Sequence, residues 1–80
     1  MNRCETNKRI RMLLNITIME LAKRVGVSRT TIIKYETGLC KKPIVERVVE
    51  LELDMAIEKC TEKGVKTACE ILRSAREETR

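Results

Sequence analysis

Histidine, tryptophan and phenylalanine are absent from this 80-residue sequence, and tyrosine occurs only once. The interior must therefore be aliphatic. Without histidine, the cysteines lack an imidazole partner, and none of them forms a C-x-x-C pair: Cys4, Cys40, Cys60 and Cys69. There is also no Gly-rich phosphate loop. These absences argue against a metal site, a cofactor and any acid–base or nucleophilic catalysis, so we do not expect an enzyme.

Long apolar segments are missing as well. The chain opens on polar and charged residues rather than on the apolar segment of a signal peptide, and no run approaches the roughly 18 apolar residues of a membrane helix. We therefore expect a cytoplasmic protein with no membrane contact. Its cysteines are interpreted as small apolar helix residues, with redox sensing as the alternative.

Charge is unevenly distributed along the chain. Residues 1–43 contain ten Lys or Arg against three Glu, a net charge of +7, whereas residues 44–80 contain seven against nine, a net charge of −2. A basic half is typical of a protein that binds a polyanion. The sequence predicts a polyanion-binding region over 1–43 and a helical tail over 44–80, within one small unit whose thin core would benefit from association.

Residues 17–38 have the pattern of two short helices joined by a tight turn. Thr17 and Glu20 are spaced as a capping box, which would start a helix at Ile18. Gly26 follows the helix directly and can adopt the positive φ of a sharp turn. A preceding helix is expected over about 5–14, after a short arm.

The second helix of the pattern has a cationic outer side. Ser28 is placed to cap it, and Ile32 and Tyr35, three residues apart, would face inward. Four residues then remain on the outer side, which carries cations and a small hydrogen-bonding group but no acid: Arg29, Thr30, Ile33 and Lys34.

The order and spacing of these residues resemble the helix-turn-helix of the phage repressor and Cro family. The resemblance rests on the run Leu21-Ala22-x-x-Val25-Gly26-Val27-Ser28-x-x-Thr31-Ile32-x-x-Tyr35-Glu36-x-Gly38 and extends from Ile10 to Pro43, about half of the chain. It implies an all-α fold: a repressor-like helix-turn-helix bundle, here with extended C-terminal helices. It also implies sequence-specific binding of double-stranded DNA, with the recognition helix 29–36 in the major groove.

The resemblance assigns contacts to individual residues. Base contacts are expected from Arg29, Thr30, Ile33 and Lys34, and phosphate contacts from Lys23, Thr31, Lys41 and Lys42. For the two loop lysines, an ordinary solvated surface is the alternative. The family usually has a phosphate-binding Gln at the position of Ile18, which cannot make that contact.

A second implication concerns an ion pair. In relatives, the Arg at the position of Arg11 pairs with the acid that follows the recognition helix, which is Glu36 in this sequence. The pair would join the first and third helices, since an Arg beside the apolar stripe is costly to bury alone. Two separately solvated charges are the alternative.

The tail pattern after Pro43 predicts a helix over 44 to about 63, a break near Gly64 and a last helix. The first of these carries two apolar stripes, one of Ile44, Val48, Leu51 and Met55 and one of Val45, Val49, Leu53, Ala56 and Cys60. We expect the first stripe to pack on the helix-turn-helix. The second stripe and the last helix would then form a dimer interface that comprises Val45, Val49, Leu53, Ala56, Cys60, Ile71 and Leu72. An intramolecular hairpin of the last two helices is the alternative, and the carboxylates of Glu46, Glu50 and Glu58 are expected to face solvent.

Two hypotheses follow for function. One recognition helix contacts only about four or five base pairs, so a homodimer on two half-sites is needed for selectivity. The first hypothesis is therefore a homodimeric transcriptional regulator, a repressor. The second is a protein-interaction module, such as an antitoxin whose acidic helical tail binds a partner protein.

Overall fold

The fold is known from a computed structural model that describes residues 2–78. The predicted regions 1–43 and 44–80 also include Met1, Thr79 and Arg80, which lie outside the described residues. The described residues form five helices and no strand: α1 Arg3–Leu13, α2 Ile18–Val25, α3 Arg29–Glu36, α4 Pro43–Lys59 and α5 Lys63–Glu77. The predicted all-α class is confirmed.

α1 begins two residues earlier than its apolar pattern indicated. The Asn2 side chain accepts a hydrogen bond from the Glu5 backbone N–H at 2.9 Å and so caps the helix. Arg3 and Cys4 are therefore helical and do not belong to an arm. Asn15 ends the helix at φ 59°, a left-handed conformation that Asn tolerates better than most residues.

α4 and α5 are separated earlier than predicted. α4 begins with Pro43 in its first turn, where the missing N–H costs nothing, and it ends at Lys59. The break lies at residues 60–62, and Gly64 is already in the first turn of α5. α5 packs within the same chain, as in the intramolecular alternative for the tail, but its main partner is α1 and not α4.

The core is aliphatic apart from Tyr35 and Cys69, as the absence of Phe and Trp predicted. All five helices and one residue of the connection between α1 and α2 contribute to it: Ile10, Ile16, Leu21, Ala22, Ile32, Tyr35, Val45, Val49, Leu53, Ile57 and Cys69. The helix-turn-helix and the tail thus share one core.

The stripe of α4 that was expected to pack on the helix-turn-helix lies at the surface, and much of the stripe that was expected at a dimer interface lies in the core. Val45, Val49 and Leu53 are buried in the core of this chain, and Ala56 and Leu72 pack partly against it. Cys60 is half-buried, and only Ile71 of the predicted dimer interface is largely exposed. The expectation was wrong for the buried residues because α1 and α2 cover the second stripe. The stripe left at the surface comprises Ile44, Val48, Leu51 and Met55.

A buried polar network attaches α5 to the rest of the bundle. The Arg76 guanidinium, only 1% exposed, donates to Asn7 Oδ1 at 3.0 Å and to both oxygens of Asp54 at 3.1 Å. The Arg3 guanidinium donates to the Arg76 carbonyl oxygen at 2.9 Å and to both oxygens of Glu50, at 2.9 and 2.6 Å. Since these residues lie on α1, α4 and α5, the network joins the tail to the first helix.

The network determines the charge state of Glu50, which is buried and not solvated as predicted. Burial alone would raise the pKa of the Glu50 carboxyl, but hydrogen bonds from Arg3 and Asn7 outweigh it and hold that pKa below its ordinary value. The same hydrogen bond to Glu50 raises the pKa of Arg3. Glu50 and Arg3 therefore form a charged pair at neutral pH.

Candidate nucleic-acid interface

The first helix of the motif starts with the capping box that its sequence predicted. Thr17 Oγ1 accepts from the Glu20 N–H at 3.0 Å, and Glu20 Oε1 accepts from the Thr17 N–H at 3.3 Å. Two backbone donors that have no partner within the helix are thereby satisfied. Ile18, which replaces the usual Gln, packs partly against the core.

The turn between α2 and α3 depends on Gly26. Its φ is +82°, and its N–H donates to the Ala22 carbonyl at 2.8 Å. No heavy atom lies within 4 Å of the position that a Cβ would occupy. Glycine is therefore favoured by the left-handed backbone and not by lack of space.

α3 begins immediately after this turn. Ser28 Oγ accepts from the Thr31 N–H at 3.1 Å and so caps the helix, and it lies 2.9 Å from Thr31 Oγ1. The cap fixes the start of the helix at Arg29, which determines which residues of its first turn point outward.

The inner face of α3 is anchored by Ile32 and Tyr35, which are both buried. The Tyr35 hydroxyl accepts from Asn7 Nδ2 and donates to Glu46 Oε1, both at 2.9 Å. Burial of the ring and its hydroxyl raises the pKa of Tyr35, so the hydroxyl stays neutral and keeps its proton for Glu46.

The ion pair that the resemblance implied between Arg11 and Glu36 is present. Arg11 Nε and Nη2 donate to the two Glu36 oxygens at 2.6 and 3.1 Å, and Nη1 donates to the Ile16 carbonyl at 2.8 Å. Both side chains are buried. A bidentate pair of this kind fixes distance and orientation together, so it holds the end of α3 against α1.

The outer face of α3 is exposed. Arg29, Thr30, Ile33 and Lys34, the four predicted base-contacting residues, all lie on it. Within residues 2–78, the side chains of Arg29, Thr30 and Lys34 form no hydrogen bond or ion pair. The acidic tail does not cover this face, since α5 lies against α1 and α4.

The predicted phosphate-contacting residues lie on α3 itself and on the segments that precede and follow it in the chain. Lys23 on α2 and the loop residues Lys41 and Lys42 are exposed, while Thr31 is half-buried with its hydroxyl next to Ser28. Residues 17–42 contain six Lys or Arg and only two Glu. Since Glu36 is neutralised by Arg11, the surface around α3 is strongly cationic.

The sequence pattern did not reveal the buried polar network of Arg3, Asn7, Glu50 and Arg76. A signal was present, because Asn7 lies three residues before Ile10 and Arg76 lies seven after Cys69, in phase with the buried face of each helix. A polar residue in phase with an apolar stripe indicates a buried partner.

The described part of the chain was also searched for metal sites and for membrane-spanning helices. Residues 2–78 contain no group of three or more metal-ligating side chains. None of their helices has the length and apolar character needed to cross a membrane.

A family model supplies an independent comparison. The family described as "Helix-turn-helix" matches residues 8–52, which is more than half of the chain and extends beyond Pro43 into α4. Searches of curated proteins and of solved structures give no match. The matched family consists of DNA-binding domains and not of enzymes. Together with the capped helix pair and its cationic outer face, the match shows that the chain belongs to the repressor and Cro-type helix-turn-helix family.

Proposed function

We propose that the protein is a sequence-specific double-stranded DNA-binding transcriptional regulator, a cytoplasmic repressor that binds as a homodimer with α3 in the major groove. One observation carries this proposal: Arg29, Thr30 and Lys34 protrude together from one exposed surface while Ile32 and Tyr35 are buried beneath it. A helix held in this way presents its first turns to base edges.

Each outward residue has a chemical role in this proposal. The Arg29 guanidinium fits a guanine, with donors to O6 and N7, and such a bidentate pair contributes about 1–3 kcal/mol of discrimination. Lys34, one turn later, donates to a second base or to a phosphate. Thr30 and Ile33 contact thymine methyl groups. These four residues would set the preferred sequence.

The phosphate contacts position the helix and carry little sequence information. Lys23, Lys41 and Lys42 suit this role because they are mobile point charges on an exposed surface. Thr31 adds a hydroxyl that Ser28 already orients. The buried pair of Arg11 and Glu36 acts differently: it holds α3 at a fixed angle, so that both sets of contacts form at once.

The alternative function, a protein-binding module of antitoxin type, has one supporting observation. The stripe of Ile44, Val48, Leu51 and Met55 on α4 is apolar and largely exposed. α5, however, is attached to α1 by Arg76 and is not a free acidic tail. A protein partner would therefore have to bind α4 rather than the tail as a whole.

The experiment that tests the proposal is selection of bound duplexes from a random pool, followed by titration of the selected duplex at several salt concentrations. If six lysines of a dimer neutralise phosphates, the logarithm of the association constant should fall with a slope of about −5 against the logarithm of salt concentration. Lys42→Ala should reduce that slope by about 1 per protomer for every sequence.

Lys63→Ala is the matched control, because Lys63 is an exposed lysine on α5, away from the cationic face. It should leave the slope and the affinity unchanged. The proposal fails if no sequence is enriched, or if binding is insensitive to salt.

A further inference from the structure

A hydrogen-bonded link runs from α5 through α1 to the inner face of α3. Arg76 Nη1 on α5 donates to Asn7 Oδ1 on α1 at 3.0 Å, and Asn7 Nδ2 donates to the Tyr35 hydroxyl on α3 at 2.9 Å. All three residues are buried, with Arg76 and Asn7 each only 1% exposed. Since water has little access to replace a lost partner, each hydrogen bond of this Arg76–Asn7–Tyr35 link restrains the groups that it joins.

The Asn7 amide fits this link in only one orientation. The Arg76 guanidinium has donors only, whereas the ionised Glu50 carboxylate, which accepts from Asn7 Nδ2 at 3.0 Å, has acceptors only. A reversed amide would place donors against each other at Arg76 and oxygens against each other at Glu50. The Tyr35 hydroxyl therefore accepts from Asn7, and its own proton is directed to Glu46 Oε1 at 2.9 Å.

The α5 end of the link is held in place independently of α3. The Arg76 guanidinium also donates to both oxygens of Asp54 on α4 at 3.1 Å, and the Arg76 carbonyl oxygen accepts from Arg3 Nη1 on α1 at 2.9 Å. The position of Arg76 thus sets the position of the Asn7 amide. Asn7, Asp54 and Arg76 all lie outside residues 8–52, so this end of the link is not part of the matched family pattern.

The other end of the link lies behind the base-contacting face. Tyr35 and Ile32 anchor the inner face of α3, a helix of only eight residues. Lys34 adjoins Tyr35 in the sequence and is exposed. Groups that recognise a ligand have to be held to within about 0.5 Å by the contacts behind them. A displaced Tyr35 hydroxyl would therefore change the angle at which α3 presents its outer face.

We infer that Asn7 is a positioning residue for the recognition helix, through which Arg76 of α5 contributes to base recognition without contacting DNA. The inference rests on the proposed function for its biological sense, whereas the link itself is a property of the protein without DNA. It gives the helical tail a role in recognition, because the tail then holds α3 at the angle at which base contacts form.

The first test measures binding to the duplex that the wild type selects, at a temperature where circular dichroism shows each variant folded. Arg76→Met removes the donor to Asn7, Tyr35→Phe removes the acceptor but keeps the ring, and a third variant combines the two. Each single change should weaken specific binding about three- to tenfold, and the combination should stay within about twofold of the larger single loss. Losses that multiply in the combined variant overturn the inference.

Two controls separate positioning from stability. Binding to an unrelated duplex depends mainly on the number of phosphate contacts, so all three variants should retain it. Ile57→Val changes a fully buried residue of α4 outside the link and should leave both affinities unchanged. If Arg76→Met does not fold, Asn7→Asp takes its place: it keeps an acceptor for Arg76, loses the donor to Tyr35 and should weaken specific binding by the same factor.

The amide resonances of residues 29–36, recorded by NMR without DNA, test the link separately from the proposed function. Arg76→Met should shift them when Tyr35 is present and much less in the Tyr35→Phe background, whereas Arg73→Met on the same helix should not shift them. If Arg76→Met leaves them in place, or binds the selected duplex as tightly as the wild type, the inference fails and the proposed function stands. If they move but the wild type selects no duplex, the proposed function fails and the link stands.

Discussion

Replacement of Arg76 by Met tests whether the buried polar network holds the tail on the helix-turn-helix. Met keeps much of the side-chain volume but removes the donors to Asn7 and Asp54. The Asn7 amide oxygen is then buried without its partner, which costs about 1–3 kcal/mol. Glu50 also loses a nearby cation, at 3.8 Å. Since breaking a buried ion pair costs about 3–5 kcal/mol, we expect a loss of about 3 kcal/mol.

The assay is urea unfolding followed by far-ultraviolet circular dichroism. For a chain of this size, with a urea dependence of about 1 kcal/mol per molar, the midpoint should fall by about 3 M. Arg73→Met is the control on the same helix, because Arg73 is only half-buried and its 3.5 Å pair is with an exposed carboxylate, Glu58; its loss should stay below about 1 kcal/mol. Equal midpoint shifts in the two variants would refute the reasoning.

Three further predictions concern single groups. The lowered pKa of the Glu50 carboxyl implies a contribution to folding stability that is complete above the unfolded pKa of about 4.3 and is lost as the pH falls through the folded pKa. Glu50→Gln should therefore reduce the change in urea midpoint between pH 7 and pH 3. Burial raises the pKa of the Cys69 thiol, so in the folded protein it should be alkylated more slowly than Cys4, Cys40 and Cys60, as peptide mass spectrometry would show. Gly26→Ala should cost about 1 kcal/mol in urea unfolding through its positive φ alone; no loss would contradict this.

The helix-turn-helix could be predicted from the sequence because its signals are local. The Thr17 and Glu20 capping box, Gly26 at the turn and Ser28 at the start of α3 act within a few residues of one another. The inward position of Ile32 follows from helical spacing once those ends are fixed. The ion pair of Arg11 and Glu36 joins residues 25 positions apart, so it was predicted from the family resemblance and not from local pattern.

The orientation of α4 could not be predicted in the same way. Both of its stripes are apolar, so helical spacing alone does not decide which stripe faces the core. The choice depends on where α1, α2 and α5 pack, and these are contacts between distant parts of the chain. Arg76 illustrates the same limit, because its main partners lie 69 and 22 residues away in the sequence.

The most direct test of the central claim is the base preference of Arg29→Ala, measured by selection from random duplexes beside the wild type and Lys42→Ala. If α3 lies in the major groove, Arg29→Ala should lose the preference at one base pair of each half-site and keep the others. Lys42→Ala should keep the whole preference and bind every sequence more weakly. An Arg29→Ala profile identical to that of the wild type would contradict the account.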